Sequence, residues 1–263
     1  MFKKRMMILI LGICIVGLLN GCTSVDSGAA TYDKIKSSGE MSYAMTGAYP
    51  PFNYIGEDGV VTGFDIDIAN AIAKKMGVAA KPITTDWDGI IGGLTGSRFD
   101  MIIGSMTVTD ERRTQVDFTD PYYYDGAQFF AKKGSSLQSI DDLNEGKVGV
   151  VTGTTFHEYL SEMDNIGEIV QFQSEVDIFK ALDQGRLDGL VTSKVVGARA
   201  PIDFGVELEP IGELLYAEEL AIAIRKDDPK LLDELNKALK SIIEDGTYEE
   251  ISNKWFGMNI LQK

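Results

Sequence analysis

The stretch that decides the fold is RFDMIIGSMTVTDERRTQVDFTDPYY, residues 98–123. Its apolar run from Met101 to Ile103 predicts a buried strand, and that strand continues into residues with small or hydroxyl side chains. A charged segment that contains Arg112 follows at once. Open α/β sheets bind ligands beyond the carboxyl ends of their strands. The order of strand, hydroxyl groups and arginine therefore indicates a ligand-binding edge.

Short apolar runs alternate with helical periodicity from Met41 onward, which predicts an α/β fold with mainly parallel sheets. In residues 63–77 apolar side chains recur every four positions, and Gly77 ends the predicted helix. A second series of strands and helices begins near Lys147. The tail, residues 228–257, is predicted to be helical with a break at Gly246.

The two series correspond to each other at an offset of 88 residues, since Asp100 matches Asp188 and Ser105 matches Ser193. Further identities at this offset are Leu94 with Leu182 and Arg98 with Arg186. The correspondence predicts two lobes of similar architecture that face each other across a cleft. The chain would cross between them twice, near residues 123–130 and 216–224, and two crossings act as a hinge.

We therefore expect a discontinuous first lobe, residues 33–126 and 221–263, and a second lobe, residues 127–220. Residues 1–21 are typical of a signal peptide, because cations precede an apolar run that is shorter than the about 20 residues of a membrane-spanning helix. The run ends in Leu-Asn-Gly-Cys, which resembles a bacterial lipobox with Cys22 as the lipidated residue. Residues 22–32 would then be a lipidated tether, and a simple secretion signal is the alternative.

Composition excludes several functions. The net charge of −15 argues against binding nucleic acid or an anionic bilayer through charge alone. With two cysteines and a single histidine, His157, the chain offers no disulfide framework and no Cys/His metal site, so we expect no metal and no cofactor. A proton-carrying role for His157 is less expected than a place at the surface or behind the site.

Arg112 is the leading candidate for ligand binding, because a guanidinium presents a planar fork of donors that matches a carboxylate. The hydroxyl groups of Ser105 and Thr107 would complete the oxyanion shell. The alternative is that this segment is the solvated start of a helix. Arg113 is expected to face solvent.

The segment GTT, residues 153–155, follows a strand and opens a helix, so Thr154 and Thr155 either bind an anion or cap the helix. Tyr49 and Trp87 would form an aromatic wall at the edge of the cleft. Two further aromatic residues are assigned to packing, Phe52 in the core and Trp255 near the end of the last helix.

Together these motifs resemble the extracytoplasmic solute-binding proteins of the polar amino-acid type, which serve ABC importers. The resemblance spans residues 33–258. It is carried by the stretches AMTGAYPPFNY, GFDIDIANAIAKKMG, WDGIIGGL, RFDMIIGSMTVTDERRTQVDFTDPYY, GKVGVVTGTT, ALDQGRLDGLVTS and GTYEEISNKWFG. It implies a two-lobed periplasmic-binding-protein-like fold of type II, with two mainly parallel sheets flanked by helices and a two-strand hinge.

The resemblance also implies roles for individual residues. Arg112 would clamp the α-carboxylate of the ligand. The neighbouring contacts would come from six residues: Ser105, Thr107, Thr154, Thr155, Tyr49 and Trp87.

Two positions depart from the family pattern. Ser193 aligns with an aspartate that pairs with the α-ammonium of the ligand, and Thr46 aligns with an aspartate in members that bind cationic or amide side chains. Either another acid compensates, or the ligand is not a standard α-amino acid. The acids nearest in sequence to cleft elements are Asp88, Glu218 and Glu219.

We expect a monomeric, non-enzymatic binding protein, anchored outside the cytoplasm by its lipid, that captures an amino acid or related carboxylate and delivers it to an ABC permease. The alternative is an enzyme similar to cyclohexadienyl dehydratase, which acts on prephenate or arogenate. Such enzymes carry a general-acid glutamate just after the GT turn, where this sequence has Phe156. A sensor module of a signalling receptor is less expected, because no output domain follows Trp255.

Overall fold

The computed structural model describes residues 31–226 and 228–262. The predicted signal peptide, the lipidated Cys22 and residues 23–30 of the predicted tether lie outside the described residues. The helices are α1 (Thr31–Ser38), α2 (Phe64–Met76), α3 (Ile90–Thr95), α4 (Asp110–Gln115), α5 (Thr155–Ser161), α6 (Glu175–Asp183), α7 (Lys194–Asp203), α8 (Pro229–Glu244), α9 (Thr247–Phe256) and a 3-10 helix (Ile140–Leu143). The strands are β1 (Glu40–Met45), β2 (Ala48–Tyr49), β3 (Asn53–Ile55), β4 (Val61–Thr62), β5 (Ala79–Thr84), β6 (Met101–Thr107), β7 (Val116–Phe118), β8 (Tyr123–Lys132), β9 (Lys147–Val151), β10 (Glu168–Phe172), β11 (Gly189–Ser193), β12 (Leu208–Pro210) and β13 (Tyr216–Arg225).

Two parallel sheet regions are joined by two long antiparallel strands. The hydrogen-bonded order is β10-β9-β11-β8-β13-β6-β1-β5. Strands β5, β1 and β6 pair in parallel on one side, and β10, β9 and β11 pair in parallel on the other. Between them β8 and β13 pair antiparallel from Tyr216↔Ala127 to Leu220↔Tyr123. This arrangement is the two-lobed type II fold that the resemblance implied.

Helix α2 shows how the sequence builds the first lobe. The residues that recur every four positions, Phe64, Ile68, Ile72 and Met76, are all buried. Helices α8 and α9 pack against the same helix, so the C-terminal tail covers the first lobe. Gly63, which precedes α2, has φ +132°, and a Cβ there would lie 2.2 Å from the carbonyl oxygen of Phe52. The close approach of α2 to this carbonyl therefore requires glycine.

The repeat at an offset of 88 has a structural basis. The N–H of Asp100 donates to the carbonyl of Ser42 in β1, and its carboxylate accepts from the N–H of Ser42. Asp188 makes the same two contacts with Lys147, the first residue of β9. In each lobe the aspartate thus fixes the start of one parallel strand against the beginning of the next.

The element predictions are confirmed for the long strands and helices of both series. Three details differ. The segment WDGIIGGL predicts a helix that begins at Trp87, whereas α3 begins at Ile90. Strands β2, β3 and β4 form a small antiparallel sheet, and runs of two or three residues carry no readable alternation. Helix α1 begins at Thr31, so Thr31 and Tyr32 are helical rather than part of a tether. Among the helices of the described ranges, none has the length and apolarity to cross a membrane.

The two repeat aspartates differ in burial, which makes a matched test. Asp100 is buried and also accepts bonds from the Ser42 hydroxyl and Lys34 Nζ, whereas Asp188 is exposed. We expect Asp100→Ala to lower the free energy of unfolding by about 2–4 kcal/mol, because buried donors lose a charged acceptor. Asp188→Ala should lower it by less than about 1 kcal/mol. Urea unfolding, with the exposed Asp164→Ala as control, checks this, and equal losses at positions 100 and 188 would contradict it.

Candidate functional site

A pocket lies where the parallel strands of both lobes end. Its space between atoms amounts to about 630 Å³, part of it open to solvent. All nine residues predicted to bind a ligand line it: Thr46, Tyr49, Trp87, Ser105, Thr107, Arg112, Thr154, Thr155 and Ser193. The same lining contains residues that the sequence analysis did not select, including Tyr123, Asp125 and Glu175.

Arg112 lies on α4 with 7% of its surface exposed. Thr109 is the N-cap of this helix, and its hydroxyl accepts from the N–H of Arg112 at 3.1 Å. The guanidinium donates through Nη1 to the carbonyl of Thr107 at 3.0 Å and through Nη2 to that of Gly153 at 3.3 Å. Burial lowers the pKa of Arg112, and the nearby carboxylates of Glu158 and Glu218 oppose this. A guanidinium has five N–H donors, so these two bonds leave donors for a carboxylate.

The alternative interpretation, in which the segment that contains Arg112 is the solvated start of a helix, is partly right as well. Thr109 is a helix N-cap, and the neighbouring Arg113 is exposed as expected, with its guanidinium 5.7 Å from the centre of the Phe118 ring. Arg112, by contrast, is buried in the pocket. The two adjacent arginines therefore occupy different environments.

Aromatic rings line one side of the pocket. Trp87 lies against Arg112, with the guanidinium carbon 5.6 Å from the ring centre, and its indole N–H donates to the carbonyl of Gly153 at 2.9 Å. Tyr49 stacks on Phe52 at 5.5 Å, and Phe52 stacks on Tyr123 at 4.8 Å. Phe52 is fully buried, as predicted, so the stack supports Tyr49 from behind.

Asp65 organises the first-lobe side of the pocket. It is fully buried and accepts from the side chains of Asn53 at 2.7 Å, Tyr122 at 2.7 Å and Ser105 at 3.0 Å. Asn53 in turn accepts from the hydroxyl of Thr46 at 3.0 Å. Ser105 has φ +60°, which is uncommon for a residue with a side chain, and these bonds hold it there. Burial raises the pKa of Asp65 to about 6 in spite of the three bonds.

The second-lobe residues come from helix starts. Thr154 caps α5, since its hydroxyl accepts from the N–H of His157 and donates to the carbonyl of Val151. Ser193 caps α7 in the same way, and its hydroxyl also bonds to the carboxylate of Asp125. His157 is half-buried and does not line the pocket.

Of the two alternatives that the departures at Ser193 and Thr46 leave open, the lining of the pocket agrees with a compensating acid. Glu218, one of the three acids proposed to compensate, is buried and accepts from the hydroxyls of Thr107 at 2.9 Å and Thr155 at 2.5 Å. Asp125 and Glu175 line the same space. Of the other two candidates, Asp88 lines a neighbouring groove behind Trp87, and Glu219 is exposed.

Burial is the main cause of a raised pKa at all three acids. It raises the pKa of Asp125 to about 6, against the bond from Ser193. It raises the pKa of Glu218 to about 7 and that of Glu175 to about 8. A positive charge brought to such a carboxyl group favours its ionised form and lowers its pKa.

Sequence reasoning missed Asp125 and Glu175 for identifiable reasons. Asp125 lies in the crossing strand β8, which was examined only as a hinge. Glu175 lies in the first turn of α6, where an acid is expected for helix stability alone. Its position directly after a strand end was the available signal, since α6 starts three residues beyond β10. Within residues 31–226 and 228–262, no group of His, Cys, Asp and Glu side chains is arranged to hold a metal ion.

Replacing Asp65 by alanine removes the acceptor of three buried donors. Each buried donor that is left without an acceptor costs about 1–3 kcal/mol of stability. We therefore expect the free energy of unfolding to fall by at least about 3 kcal/mol. Asp67→Ala is the matched control, because Asp67 lies on the same helix and pairs with Lys254 and Trp255 near the surface. It should lose about 1 kcal/mol or less. Equal losses in thermal or urea unfolding would contradict the role of Asp65.

Comparison with known proteins agrees with this geometry. The family model described as bacterial extracellular solute-binding proteins, family 3, matches residues 41–258. The L-cystine-binding protein TcyJ of Escherichia coli K12 is 32% identical over 255 residues, which cover 95% of this chain and 96% of the relative. The L-arginine-binding protein of Pseudomonas aeruginosa is 36% identical over 223 residues, which cover 81% of this chain and 86% of the relative.

Among solved structures, an ancestral arginine-binding protein bound to arginine is 38% identical to this chain, with a TM-score of 0.79. The match covers 83% of this chain and 99% of that structure. The family model and the relatives cover the same two-lobed region that carries the pocket. The chain belongs to the bacterial extracellular solute-binding proteins of family 3.

Proposed function

We propose that this protein binds an L-α-amino acid between its lobes and delivers it to the permease of an ABC transporter. The observation that carries the proposal is a buried arginine and buried carboxyl groups lining one pocket. An α-amino acid presents one carboxylate and one ammonium group a few bonds apart. A pocket that offers both charges matches this zwitterion, and the relatives named above are amino-acid-binding proteins.

In this proposal Arg112 binds the α-carboxylate with the donors that do not face Thr107 and Gly153. Glu218 and Asp125 are the partners of the α-ammonium. Arg112 donates to the carbonyl of Thr107, and the hydroxyl of the same residue donates to Glu218, so the carboxylate and ammonium sites adjoin each other. The remaining predicted residues, Thr46, Tyr49, Trp87, Ser105, Thr107, Thr154, Thr155 and Ser193, line the space around the ligand.

We propose that binding closes one lobe on the other. The lobes are residues 33–126 with 221–263, and residues 127–220, and strands β8 and β13 are the hinge. Three contacts join the two sides of the pocket: Trp87 and Arg112 with Gly153, and Glu218 with Thr107. A ligand that brings charge to Arg112 and Glu218 would strengthen the closed arrangement, because it binds both sides at once.

The place of the protein in the cell is part of the same proposal. Signal cleavage before Cys22 and lipidation of that residue would hold a monomer at the outer face of the membrane, beside its permease. Metabolic labelling with a palmitate analogue, compared between the wild type and Cys22→Ala, tests this anchoring.

The dehydratase alternative is not favoured. The family matched is one of solute-binding proteins, and Phe156 stands where a general-acid glutamate is expected. We expect the purified protein not to turn over prephenate, and an assay of prephenate turnover checks this.

The carboxylate clamp is tested with the two adjacent arginines. Ligand-stripped protein is titrated with the twenty L-amino acids and with ammonium-free carboxylates, first by thermal shift and then by calorimetry. We expect at least one L-amino acid to bind, and Arg112→Ala to weaken that binding by at least about 100-fold, because a buried charged pair is lost. Arg113→Ala should leave the affinity within about threefold, since Arg113 is exposed. Binding of ammonium-free acids alone would contradict the zwitterion site.

The buried acids predict a pH dependence of binding. Burial raises the pKa of Asp125 to about 6 and that of Glu218 to about 7, so these groups hold protons in the unliganded protein at low pH. An ammonium group binds the ionised form, so the affinity should fall by at least about tenfold between about pH 8.5 and pH 5. Calorimetry in buffers of different ionisation enthalpy should record proton release on binding. A pH-independent affinity would contradict this.

A further inference from the structure

Glu175 is the acid in the pocket whose hydrogen bonding is least complete. It is 3% exposed. Its Oε1 accepts from the hydroxyl of Thr192 at 2.9 Å, and Oε2 is buried with no partner within the described part of the chain. Burial raises the pKa of Glu175 to about 8. A buried carboxylate oxygen without a donor is destabilising, so this oxygen marks the position of a donor that a ligand supplies.

The other two acids have more partners. Glu218 accepts from Thr107 and Thr155, and Asp125 accepts from Ser193 and from the N–H of Gly126. Thus the residues proposed to receive the α-ammonium are already oriented by protein donors. Glu175 has a single one.

Glu175 lies on the side of the pocket that Tyr49 lines. Among the charged groups that raise the pKa of Tyr49, Glu175 acts most strongly. The acids that act most strongly on the pKa of Arg112 are Glu158 and Glu218. Helix α6, which begins at Glu175, also contacts β2, which contains Tyr49.

The charges of the pocket do not balance for a neutral amino acid. Among the described residues that line it, Arg112 is the one basic side chain, and three are acidic: Asp125, Glu175 and Glu218. When the three carboxyl groups are ionised, negative charge exceeds positive charge, and a zwitterion, which adds one charge of each sign, leaves this excess unchanged. A ligand with one further cation reduces this excess, and Glu175, whose Oε2 has no donor, is the place where that cation would bind.

We propose that Glu175 is a specificity-determining residue, which binds a second cationic group, a guanidinium or an ammonium, on the side chain of the amino acid. This inference rests on the proposed function, because Arg112 must hold the α-carboxylate for the side chain to reach Glu175. The Tyr49 ring beside Glu175 adds a favourable surface for a cation. A ligand whose side chain ends in a carboxylate and carries no cation, such as L-glutamate, would place that carboxylate among acids and should bind poorly.

The test uses ligand pairs that differ only in charge. Ligand-stripped full-length protein is titrated by calorimetry with L-arginine and its neutral isostere L-citrulline, with L-lysine and L-norleucine, and with L-glutamate. The variants are Glu175→Gln and, as control, Asp183→Asn, which removes an exposed acid from the other end of α6. Retained citrulline binding and an unchanged circular dichroism spectrum show that a variant is folded.

We expect the wild type to bind a cationic ligand at least about 100-fold more tightly than its neutral isostere. Glu175→Gln should weaken the cationic ligand by at least about 30-fold and change the neutral one by less than about threefold. Asp183→Asn should change neither.

Three outcomes would overturn the inference: equal affinity of the wild type for both members of each pair, equal weakening of both by Glu175→Gln, or tight binding of L-glutamate. If neutral amino acids bind in an Arg112-dependent way without preference for a cation, the proposed function stands and the role of Glu175 fails. If no amino acid binds, the proposed function itself fails.

Discussion

A single buried carboxylate, that of Asp65, fixes the first-lobe wall of the site. It receives donors from three places in the chain: Asn53 in β3, Ser105 in β6, and Tyr122 before the crossing strand β8. Tyr122 also accepts from the N–H of Ser105, so side chain and backbone of that serine are both held. Burying a carboxylate is unfavourable in itself, and the bonds offset this only because each donor is correctly placed. The wall is therefore specified by polar geometry rather than by apolar packing alone.

The contact between the lobes uses the same kind of interaction. Glu218 accepts from Thr107 of the first lobe and Thr155 of the second, while the carbonyl of Gly153 accepts from Arg112 and Trp87. These groups are polar and, in an open cleft, water would satisfy them equally well. Polar contacts of this kind contribute little net free energy, which suits the proposed opening and closing of the cleft.

Much of the fold could be predicted from the sequence, because periodicity and the repeat of Asp100 at Asp188 are local signals with structural causes. The hydroxyl and arginine positions of the site followed from strand ends. Two of the acids, Asp125 and Glu175, could not be assigned in this way. An aspartate within a hinge strand and a glutamate in the first turn of a helix have ordinary structural explanations in sequence. Only the tertiary arrangement reveals that the side chains of Asp125 and Glu175 meet in one pocket.

The raised pKa values of these acids would link the proposed closure to the charge of the ligand. Burial raises the pKa of Glu218 to about 7 and that of Glu175 to about 8, so near neutral pH these acids retain protons in part of the molecules. Opening of the cleft would return the acids to water and release those protons. A cationic ligand, as proposed above, would replace the protons without requiring the cleft to open. The low polarity that makes the ionised acids unfavourable would strengthen their attraction for that cation. In this proposal closure and charge recognition are one equilibrium, in which protons and ligand compete for the same carboxylates.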